Sequence, residues 1–531
     1  MILNLSFTRC LSSISIFILI IFSFSINQYY AFIGVLPVDS FSTFNAGYDI
    51  LNGSLPFKDF WTIKGPVLDI IQAIYFKLFG VSWFSYAAHS SSFNTIFSLS
   101  TFFTLKKFGL NLKYSFIYSA LGSVLMYPTY GIPFTDHHVA IFSMLSIYSL
   151  CLAIKNKNNI YWFFIPIFLF LAFFTKQTPA GYFGILILII SSLYLILNFD
   201  KKILLSLILS SLIVTAIFVF LVFFYNIPFQ SILVQYLLFP LSLGETRVEW
   251  LFPFDFQRFV LRHKLIYLAL SVPIFLLFKN ISKNISSVLA SDNLIFLTLF
   301  GTLLIFITHQ LMTINGLFIY FLIPVFSGFS HIYLSKFKNK KKLISFFLIL
   351  SLISTVYYHQ KYISKRDTLI LRDTNLNKSI NASILSDKLS NLKWLTHHYP
   401  DDPNQEIENL LSTIDIIKED KRKKMFVTDY QFISVILNIN DNSAARIWWR
   451  HHIYPEPDKK YFVNWKDFLI NKIINENIEV IYTIKPLEGE HDIFDGLISQ
   501  DCYSNEKKNK ILVLQTLNDC NELKIFTNLK K

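Results

Sequence analysis

The sequence predicts a polytopic α-helical membrane protein with a C-terminal extracytoplasmic α/β domain. Two observations predict this class. Of the 531 residues, 53% are hydrophobic and 16% are charged, whereas soluble globular proteins carry roughly 25% charged residues. The chain also holds 56 Phe, 27 Tyr and 8 Trp, which is natural for helices surrounded by lipid. A disordered chain and an ordinary soluble protein of this size are therefore excluded.

About eleven hydrophobic runs have the roughly 17–25 residues that a membrane-crossing helix requires. They lie near 11–33, 84–105, 112–130, 138–154, 160–174, 179–198, 203–225, 264–278, 292–309, 314–334 and 342–358. A cleaved signal peptide is the alternative for the first run. That run is long and no small-x-small cleavage pattern follows it, so we take it as the first helix.

The basic residues set the predicted orientation. With the N-terminus in the cytoplasm, the inside loops hold 15 basic and two acidic residues, and the outside loops hold eight of each. This asymmetry is what the positive-inside rule predicts. We therefore expect a multi-pass protein of the bacterial inner (plasma) membrane. The odd number of crossings then puts residues 359–531 on the outer face, in the periplasm if the organism is Gram-negative.

The formal net charge of +13 lies entirely in residues 1–358, because residues 359–531 hold 25 basic and 25 acidic residues. Basic residues beside hydrophobic runs report topology, so this charge does not indicate a nucleic-acid partner. The composition shift predicts two domains, 1–358 in the membrane and 359–531 outside it.

The outer segment has the pattern of a small α/β domain. Helix-like stretches alternate there with short apolar strands, at Asn404–Glu419, Met425–Thr428, Trp465–Asn475, Ile478–Ile484 and Ile511–Leu517. Cys502 and Cys520 share this segment, so in an oxidising compartment they are a candidate disulfide, with two unpaired thiols as the alternative.

The first outer loop, roughly Gly34–Trp83, is rich in acids. It contains Asp39, Asp49, Asp59 and Asp69, and it is too long for a simple connector and too apolar to be free in water. We therefore predict short helices along the membrane surface. Asp39 follows the first helix directly, which is a suitable place to act on a lipid-borne substrate.

The first outer loop resembles that of the GT-C glycosyltransferases, polytopic enzymes that use lipid-phosphate sugars and include protein mannosyltransferases and aminoarabinose transferases. An acid beyond the first helix is followed by a G-x(n)-G-x-x-P-[FY]-x-D-F-W element, a G-P pair and a final glycine turn. The matching residues are Asp39, Gly47, Gly53, Pro56, Phe57, Asp59, Phe60, Lys64, Gly65, Pro66 and Gly80.

Later segments also resemble the family. They are Asp136 in GIPFTDHHVA, Lys176-Gln177 in FFTKQTPAG and FIYFLIP at 318–324. The sequence departs from the family pattern at Asp39-Ser40, where many members carry two adjacent acids. The resemblance implies a GT-C-like catalytic domain over 1–358 and a polyprenyl-phosphate sugar as the donor. It also implies an envelope glycan, lipid or protein as the acceptor.

The chemistry of such a donor requires only one carboxylate. A polyprenyl phosphate leaves as a stable anion, so no general acid is needed, in contrast to glycoside hydrolysis. What remains is a general base for the acceptor hydroxyl and cations for the phosphate. We therefore expect inverting transfer of a hexose or pentose, with Asp39 as the base.

Two sets of candidate site residues follow. Asp39 and Asp136 are the catalytic candidates. The substrate-binding candidates are Asp59, Lys64, His137, His138, Lys176, Gln177, Arg258 and Arg262. No metal ligand is assigned, and a divalent cation shared by Asp136 and the two histidines stays an open alternative.

Each candidate has a purely structural alternative. Asp39 can cap a helix, Asp59 can orient its loop through backbone hydrogen bonds, and Asp136 can stabilise the start of a helix. The lysines can extend toward lipid head groups. Arg258 and Arg262, four residues apart, form either a phosphate clamp or ordinary interfacial arginines.

Two other functions compete with glycosyl transfer. A transporter or flippase would place charges near the bilayer midplane in two matching halves, whereas these charges gather at the outer interface. An O-antigen ligase or polymerase also acts on lipid-linked sugars. It would place its key residues in a large late loop, whereas this chain concentrates its acids in the first.

Overall fold

The computed structural model describes residues 2–249, 251–252, 255–313, 319–487, 494, 496–518 and 520. Residues 314–318, which begin the tenth predicted run and include the first residue of FIYFLIP, lie outside the described residues. Residues 521–531 at the end of the predicted outer domain also lie outside them.

The chain is mostly helical. Helices in the first half are α1 Ile2–Ala31, α2 Pro37–Ser40, α3 Ser42–Leu51, α4 Val67–Phe79, α5 Trp83–Lys107, α6 Leu112–Met126, α7 Thr135–Asn156, α8 Asn159–Phe173, α9 Gln177–Leu197, α10 Lys201–Phe224, α11 Phe229–Ile232 and α12 Phe239–Glu249. Those in the second half are α13 Lys264–Ala269, α14 Ser271–Lys283, α15 Ser291–Thr313, α16 Leu322–Ser335, α17 Lys341–Tyr358, α18 Pro403–Glu419, α19 Phe432–Leu437 and α20 Phe462–Asn475. Wider π-helical turns occur at Leu233–Leu238, Gln257–Leu261 and His359–Ile363.

Within the described residues, six helices are long and apolar enough to cross a membrane. They are Leu11–Ala31, Thr135–Asn156, Gln177–Leu197, Lys201–Phe224, Ser291–Thr313 and Lys341–Leu369. Asn159–Phe173 and Leu322–Ser335 are shorter apolar helices. The chain is thus a multi-pass helical protein by length and composition, and the count of eleven crossings stays a prediction.

Two predicted runs are interrupted by proline. The run at 264–278 divides into α13 and α14 around Leu270, because Pro273 has no N–H to continue the ladder. The run at 112–130 ends as α6 at Met126, shortly before Pro128, since the residue preceding a proline is disfavoured in helical geometry.

The chain divides into two compact units. Unit 1 comprises residues 1–31, 87–221 and 246–368, and unit 2 comprises residues 32–86, 222–245 and 369–531. The first outer loop therefore lies in the same unit as most of the predicted outer domain. The predicted boundary at residue 358 stays a prediction.

Unit 1 is built around α7, which packs against α8, α9 and α15 and is buried over nearly its whole length. The end of α1 is fixed by Gly131, whose backbone has φ +86 and whose hypothetical Cβ would lie 2.7 Å from the nitrogen of Ala31. Asn27 donates a hydrogen bond to the Gly131 carbonyl at 2.9 Å. This close approach orders the loop that precedes α7.

Unit 2 contains a four-stranded mixed sheet. Its strands are β3 Lys424–Thr428, β4 Val480–Ile484, β5 Tyr503–Lys507 and β6 Leu512–Leu517, in the order β3-β4-β6-β5. Strands β3 and β4 are parallel, and the other pairs are antiparallel. A short antiparallel pair, β1 Ile380–Asn381 and β2 Lys393–Trp394, precedes this sheet.

The core of unit 2 is aromatic. It includes Trp61 of the first outer loop together with Trp448, Tyr454 and Trp465 from the C-terminal part. The backbone N–H of Trp61 donates to the Ala444 carbonyl at 2.7 Å. Cys502 and Cys520 are disulfide-bonded, which confirms that predicted pairing.

Candidate functional site

Asp136 forms a buried ion-pair cluster in unit 1. Its Oδ1 lies 2.5 Å from Nζ of Lys176 and 3.2 Å from Nε2 of His309. The Asp136 side chain is 3% exposed and that of Lys176 is 21% exposed. The start of α7, the residue before α9 and the C-terminal part of α15 thus meet at one carboxylate, and we call this group of side chains the Asp136 cluster.

Two of these partners, Asp136 and Lys176, were candidates from the sequence, but their contact was not predicted. His309 was not among the candidates from the sequence, and it is both buried and hydrogen-bonded to Asp136. Asp136 also acts electrostatically on Arg247 of α12. No sequence signal singles out Arg247, because Glu245 and Glu249 lie two residues away on either side and it resembles an ordinary charged residue of a polar segment.

His137 and His138 lie in a separate hydrogen-bonded group beside this cluster. His138 contacts the Tyr127 hydroxyl through Nδ1 at 2.5 Å and the His89 ring through Nε2 at 2.9 Å. His137 Nε2 lies 2.9 Å from Oγ1 of Thr129. Both histidines are buried, and His89 is a partner that the sequence analysis did not identify.

Gln177, the other candidate beside Lys176, is the first residue of α9 and is partly exposed. A side-chain amide at a helix start can donate and accept hydrogen bonds. Its position is compatible with contact to a sugar.

Arg258 and Arg262 lie at a π-helical turn rather than on a regular α-helix. Arg258 is partly exposed and Arg262 is exposed. Arg262 hydrogen-bonds the Tyr320 hydroxyl, and the Tyr320 ring stacks on Tyr358 with centroids 3.8 Å apart. The aromatic support of Arg262 was not predicted, because its members come from three distant segments.

Asp39 lies in α2, the four-residue helix that follows α1, and it is partly exposed. The next residue, Ser40, is fully buried and accepts a hydrogen bond from the Leu36 N–H at 3.0 Å through its Oγ. The position where many family members carry a second acid therefore holds a side chain that closes the turn. Asp39 is the acid that α2 exposes.

Lys64 is held by two side chains of unit 2. Its Nζ donates to Oγ1 of Thr43 at 2.9 Å and to Oδ1 of Asp69 at 3.1 Å. Thr43 follows Asp39 by four residues in the chain, across the junction of α2 and α3. Burial raises the pKa of Asp69, while the nearby Lys64 ammonium opposes the shift.

Asp59 closes a turn. Its Oδ2 accepts a hydrogen bond from the Leu55 N–H at 2.7 Å, and Phe57 within the turn has a positive φ of 68°. This contact favours the loop-orienting alternative for Asp59. Its assignment to substrate binding stays a prediction.

Arg446 forms a buried network that the sequence did not reveal. Its Nη2 lies 2.5 Å from Oδ2 of Asp49 and its Nη1 lies 3.4 Å from Oδ2 of Asp441. Its guanidinium lies 4.3 Å from the centre of the Phe60 ring. Burial raises the pKa of both aspartates, and Arg446 opposes this rise. The network joins the first outer loop to residues 441–446.

Metal binding was left open by the sequence. In the part of the chain that the structure describes, no group of three or more His, Cys, Asp or Glu side chains is arranged to hold a metal ion. The Asp136 cluster pairs its carboxylate with a lysine instead.

No protein-family model and no curated protein matches the sequence. Comparison of structures shows a likeness to ArnT from Cupriavidus metallidurans bound to undecaprenyl phosphate. The TM-score is 0.49 and the identity 9%, over 96% of this chain and 98% of that chain. The apo form of that ArnT matches with a TM-score of 0.46 and 10% identity over the same shares. ArnT is a GT-C aminoarabinose transferase, a class that the sequence analysis names. At this identity and TM-score, the likeness does not assign an activity to the chain.

Proposed function

We propose that the chain is a membrane glycosyltransferase that moves a sugar from a polyprenyl-phosphate donor to an envelope acceptor at the outer face. The observation that carries the proposal is the local structure of Asp39 and Lys64. A partly exposed carboxylate lies in α2, the short helix that follows α1 in the chain, and Thr43, four residues later at the start of α3, accepts a hydrogen bond from a lysine ammonium.

This arrangement supplies the two groups that direct transfer requires. Asp39 removes the proton from an acceptor hydroxyl while that oxygen bonds to the anomeric carbon of the sugar. The bond between this carbon and the phosphate oxygen breaks, and the polyprenyl phosphate leaves with the electron pair. Lys64 stabilises the charge that develops on the phosphate. A single displacement of this kind inverts the anomeric configuration.

A second argument comes from Ser40. With the neighbouring position used to close the turn, α2 offers one carboxylate. One carboxylate suffices for a phosphate leaving group, whereas hydrolysis of an ordinary glycoside needs two. The local structure thus favours lipid-phosphate donors over glycosides.

We assign the remaining candidates to substrate binding or support. Lys176, paired with Asp136, and Arg262, supported by Tyr320, are suited to anionic groups of donor or acceptor. Asp136 keeps Lys176 in place, which is a positioning role within our proposal. Gln177 and Arg258 are proposed to contact sugar or acceptor hydroxyls. His137 and His138, which are buried and hydrogen-bonded to protein groups, are proposed to support the site.

The proposed topology has eleven crossings, with the N-terminus in the cytoplasm and residues 359–531 in the periplasm. The outer domain is proposed to help bind the acceptor. Cysteine labelling from each side of the membrane tests the topology, since a cysteine placed at Lys338 would react only from the cytoplasm.

The reaction is tested with purified protein, radiolabelled polyprenyl-phosphate sugars and membrane lipid extract as the source of acceptor. We expect labelled product from one donor and none from Asp39→Asn. Asp200→Asn, in a predicted cytoplasmic loop, serves as a control of equal charge change. A parallel reaction with chelator tests the open question of a metal. Movement of carrier lipid across proteoliposomes without any transfer would instead establish the flippase function.

A further inference from the structure

Trp449 differs from the other described tryptophans in its exposure. Seven of the eight tryptophans of the chain lie among the described residues. Six of them are buried in the cores of their units, with at most 2% exposure, whereas Trp449 is 39% exposed. An indole ring has a large apolar face and one N–H donor, so such a side chain in a water-facing segment is a candidate contact for a ligand.

The loop that carries Trp449 is rigidly held. Its neighbour Trp448 is buried and donates through Nε1 to Oγ of Ser443 at 3.1 Å. Tyr454 at the end of the loop stacks on Trp465 with centroids 4.7 Å apart. Trp61 donates through Nε1 to the Ile453 carbonyl at 2.9 Å. The exposed ring therefore projects from a fixed support, so binding to it loses little conformational entropy.

The loop that carries Trp449 is rich in polar side chains. The His452 ring packs against it nearly edge-on, with centroids 4.4 Å apart. His451 pairs with Glu456 at 2.7 Å and is 59% exposed, and Asp458 is 72% exposed. A lipid-anchoring loop would carry further apolar side chains, whereas the residues that follow Trp449 include Arg450, His451, His452, Glu456 and Asp458. A pyranose has the complementary character, since one face is formed by C–H groups and its rim by hydroxyls.

We propose that Trp449, with His452 packed against it and the His451–Glu456 pair in the same loop, is a binding platform for a pyranose ring of the acceptor glycan. The C–H face of the sugar stacks on the indole, and the imidazole and carboxylate groups hydrogen-bond its hydroxyls. That the bound glycan is the acceptor rests on the proposed function, because an enzyme that transfers a sugar must also hold the glycan that receives it. Binding of a pyranose at this platform does not depend on that function.

Binding is measured without any donor, by saturation-transfer NMR of the full-length protein in detergent. The probes are trisaccharides built from glucose, galactose, mannose or N-acetylglucosamine. At least one should bind the native protein and bind Trp449→Ala about tenfold more weakly, the order expected for loss of one aromatic stacking contact. Trp449→Tyr should retain most of the binding, because it preserves a stacking ring. Val463→Ala, at a 65% exposed apolar position of the same unit, should leave binding unchanged.

Three results would overturn the proposed platform. They are no binding of any trisaccharide, binding by Trp449→Ala as tight as by the native protein, and contact of the Trp449 ring with lipid. The last is tested in vesicles containing brominated phospholipid, where a quenching component lost in Trp449→Phe would identify the ring as a lipid anchor. Failure of the proposed function is distinguishable from these. Trisaccharide binding that depends on Trp449, in a protein without transferase activity, would refute the transferase and retain the platform.

Discussion

The Arg446 guanidinium lies 2.5 Å from the Asp49 carboxylate, which joins the first outer loop to the C-terminal part of unit 2. Both side chains are nearly inaccessible to water. Removing one partner of a buried charge pair costs about 3–5 kcal/mol, because the other charge stays buried without compensation. We therefore expect Arg446→Met to lower the free energy of unfolding by about this amount.

Thermal unfolding followed by tryptophan fluorescence measures this change. The matched control is Arg422→Met, since the pair of Arg422 with Asp420 is 40% exposed on the arginine side and surface pairs contribute about 0–1 kcal/mol. The triple variant Asp49→Asn, Asp441→Asn, Arg446→Met removes the unpaired charges and should recover much of the loss. Equal losses of unfolding free energy in Arg446→Met and Arg422→Met would show that the Arg446 network does not stabilise unit 2.

Asp49 and Asp441 also predict a pH dependence of stability. Burial raises the pKa of both carboxyls above their usual range, so the folded unit retains a proton that the unfolded chain releases. This stabilisation is complete at pH values below the ordinary aspartate pKa of about 3.9 and is lost as the pH rises through the folded-state pKa. Asp49→Asn should flatten the fall of the unfolding temperature with pH. Asp458→Asn, at an exposed site, should leave the slope unchanged; a slope equally steep in Asp49→Asn would contradict the assignment.

The disulfide gives a separate prediction for unit 2. Cys502 and Cys520 are 18 residues apart, and closing a loop of about this length stabilises a protein by about 3 kcal/mol. The double variant Cys502→Ser, Cys520→Ser should therefore unfold at a lower temperature. Mass spectrometry after alkylation should show these two cysteines reacting only after reduction. Alkylation of either one in the non-reduced native protein would refute the bond.

The Asp136 cluster predicts non-additive substitutions. Lys176→Met leaves the Asp136 carboxylate buried beside His309, and Asp136→Leu leaves Lys176 without its carboxylate partner. Truncating one member of a buried charge pair costs about 2–5 kcal/mol, much of it from the group left behind. The double variant should therefore be more stable than the sum of the single effects implies. Additive losses of unfolding free energy would show that the two side chains do not depend on each other.

Much of the site could be predicted residue by residue, but its contacts could not. Asp136 and Lys176 stand out in the sequence because charges are rare in apolar surroundings. Their pairing with His309 depends on how α7, α9 and α15 pack, which hydropathy does not encode. Arg446 was not identified from the sequence, because a charged residue does not stand out in a segment of ordinary soluble composition. Its partner Asp49 is also distant in the chain, in the first outer loop.

The sequence also showed where the helices lie more clearly than where they end. The run at 264–278 is largely apolar, yet the helix is interrupted at Leu270 because Pro273 cannot join the hydrogen-bond ladder. Hydropathy averages over such a break. The disulfide was predictable because both cysteines lie in one predicted compartment.

Ser40 offers a test of the departure from the family pattern. Its Oγ accepts from a buried backbone N–H, and leaving such a donor without a partner costs about 1–3 kcal/mol. Ser40→Ala should lower the unfolding temperature while leaving the chemical step intact. Ser40→Asp would bury a second charge in α2 and should be more destabilising. A Ser40→Asp protein as stable as the native one would contradict this account of the turn.

The central claim is that Asp39 is the base of a glycosyl transfer, and one measurement tests it most directly. The single-turnover rate of sugar transfer from the polyprenyl-phosphate donor is compared in the native protein, Asp39→Asn and Ser40→Ala. Loss of a positioned general base lowers a rate by about 10²–10⁴-fold. We predict a loss of this size in Asp39→Asn alone, with Ser40→Ala near the native rate. Transfer by Asp39→Asn at the native rate would contradict the account.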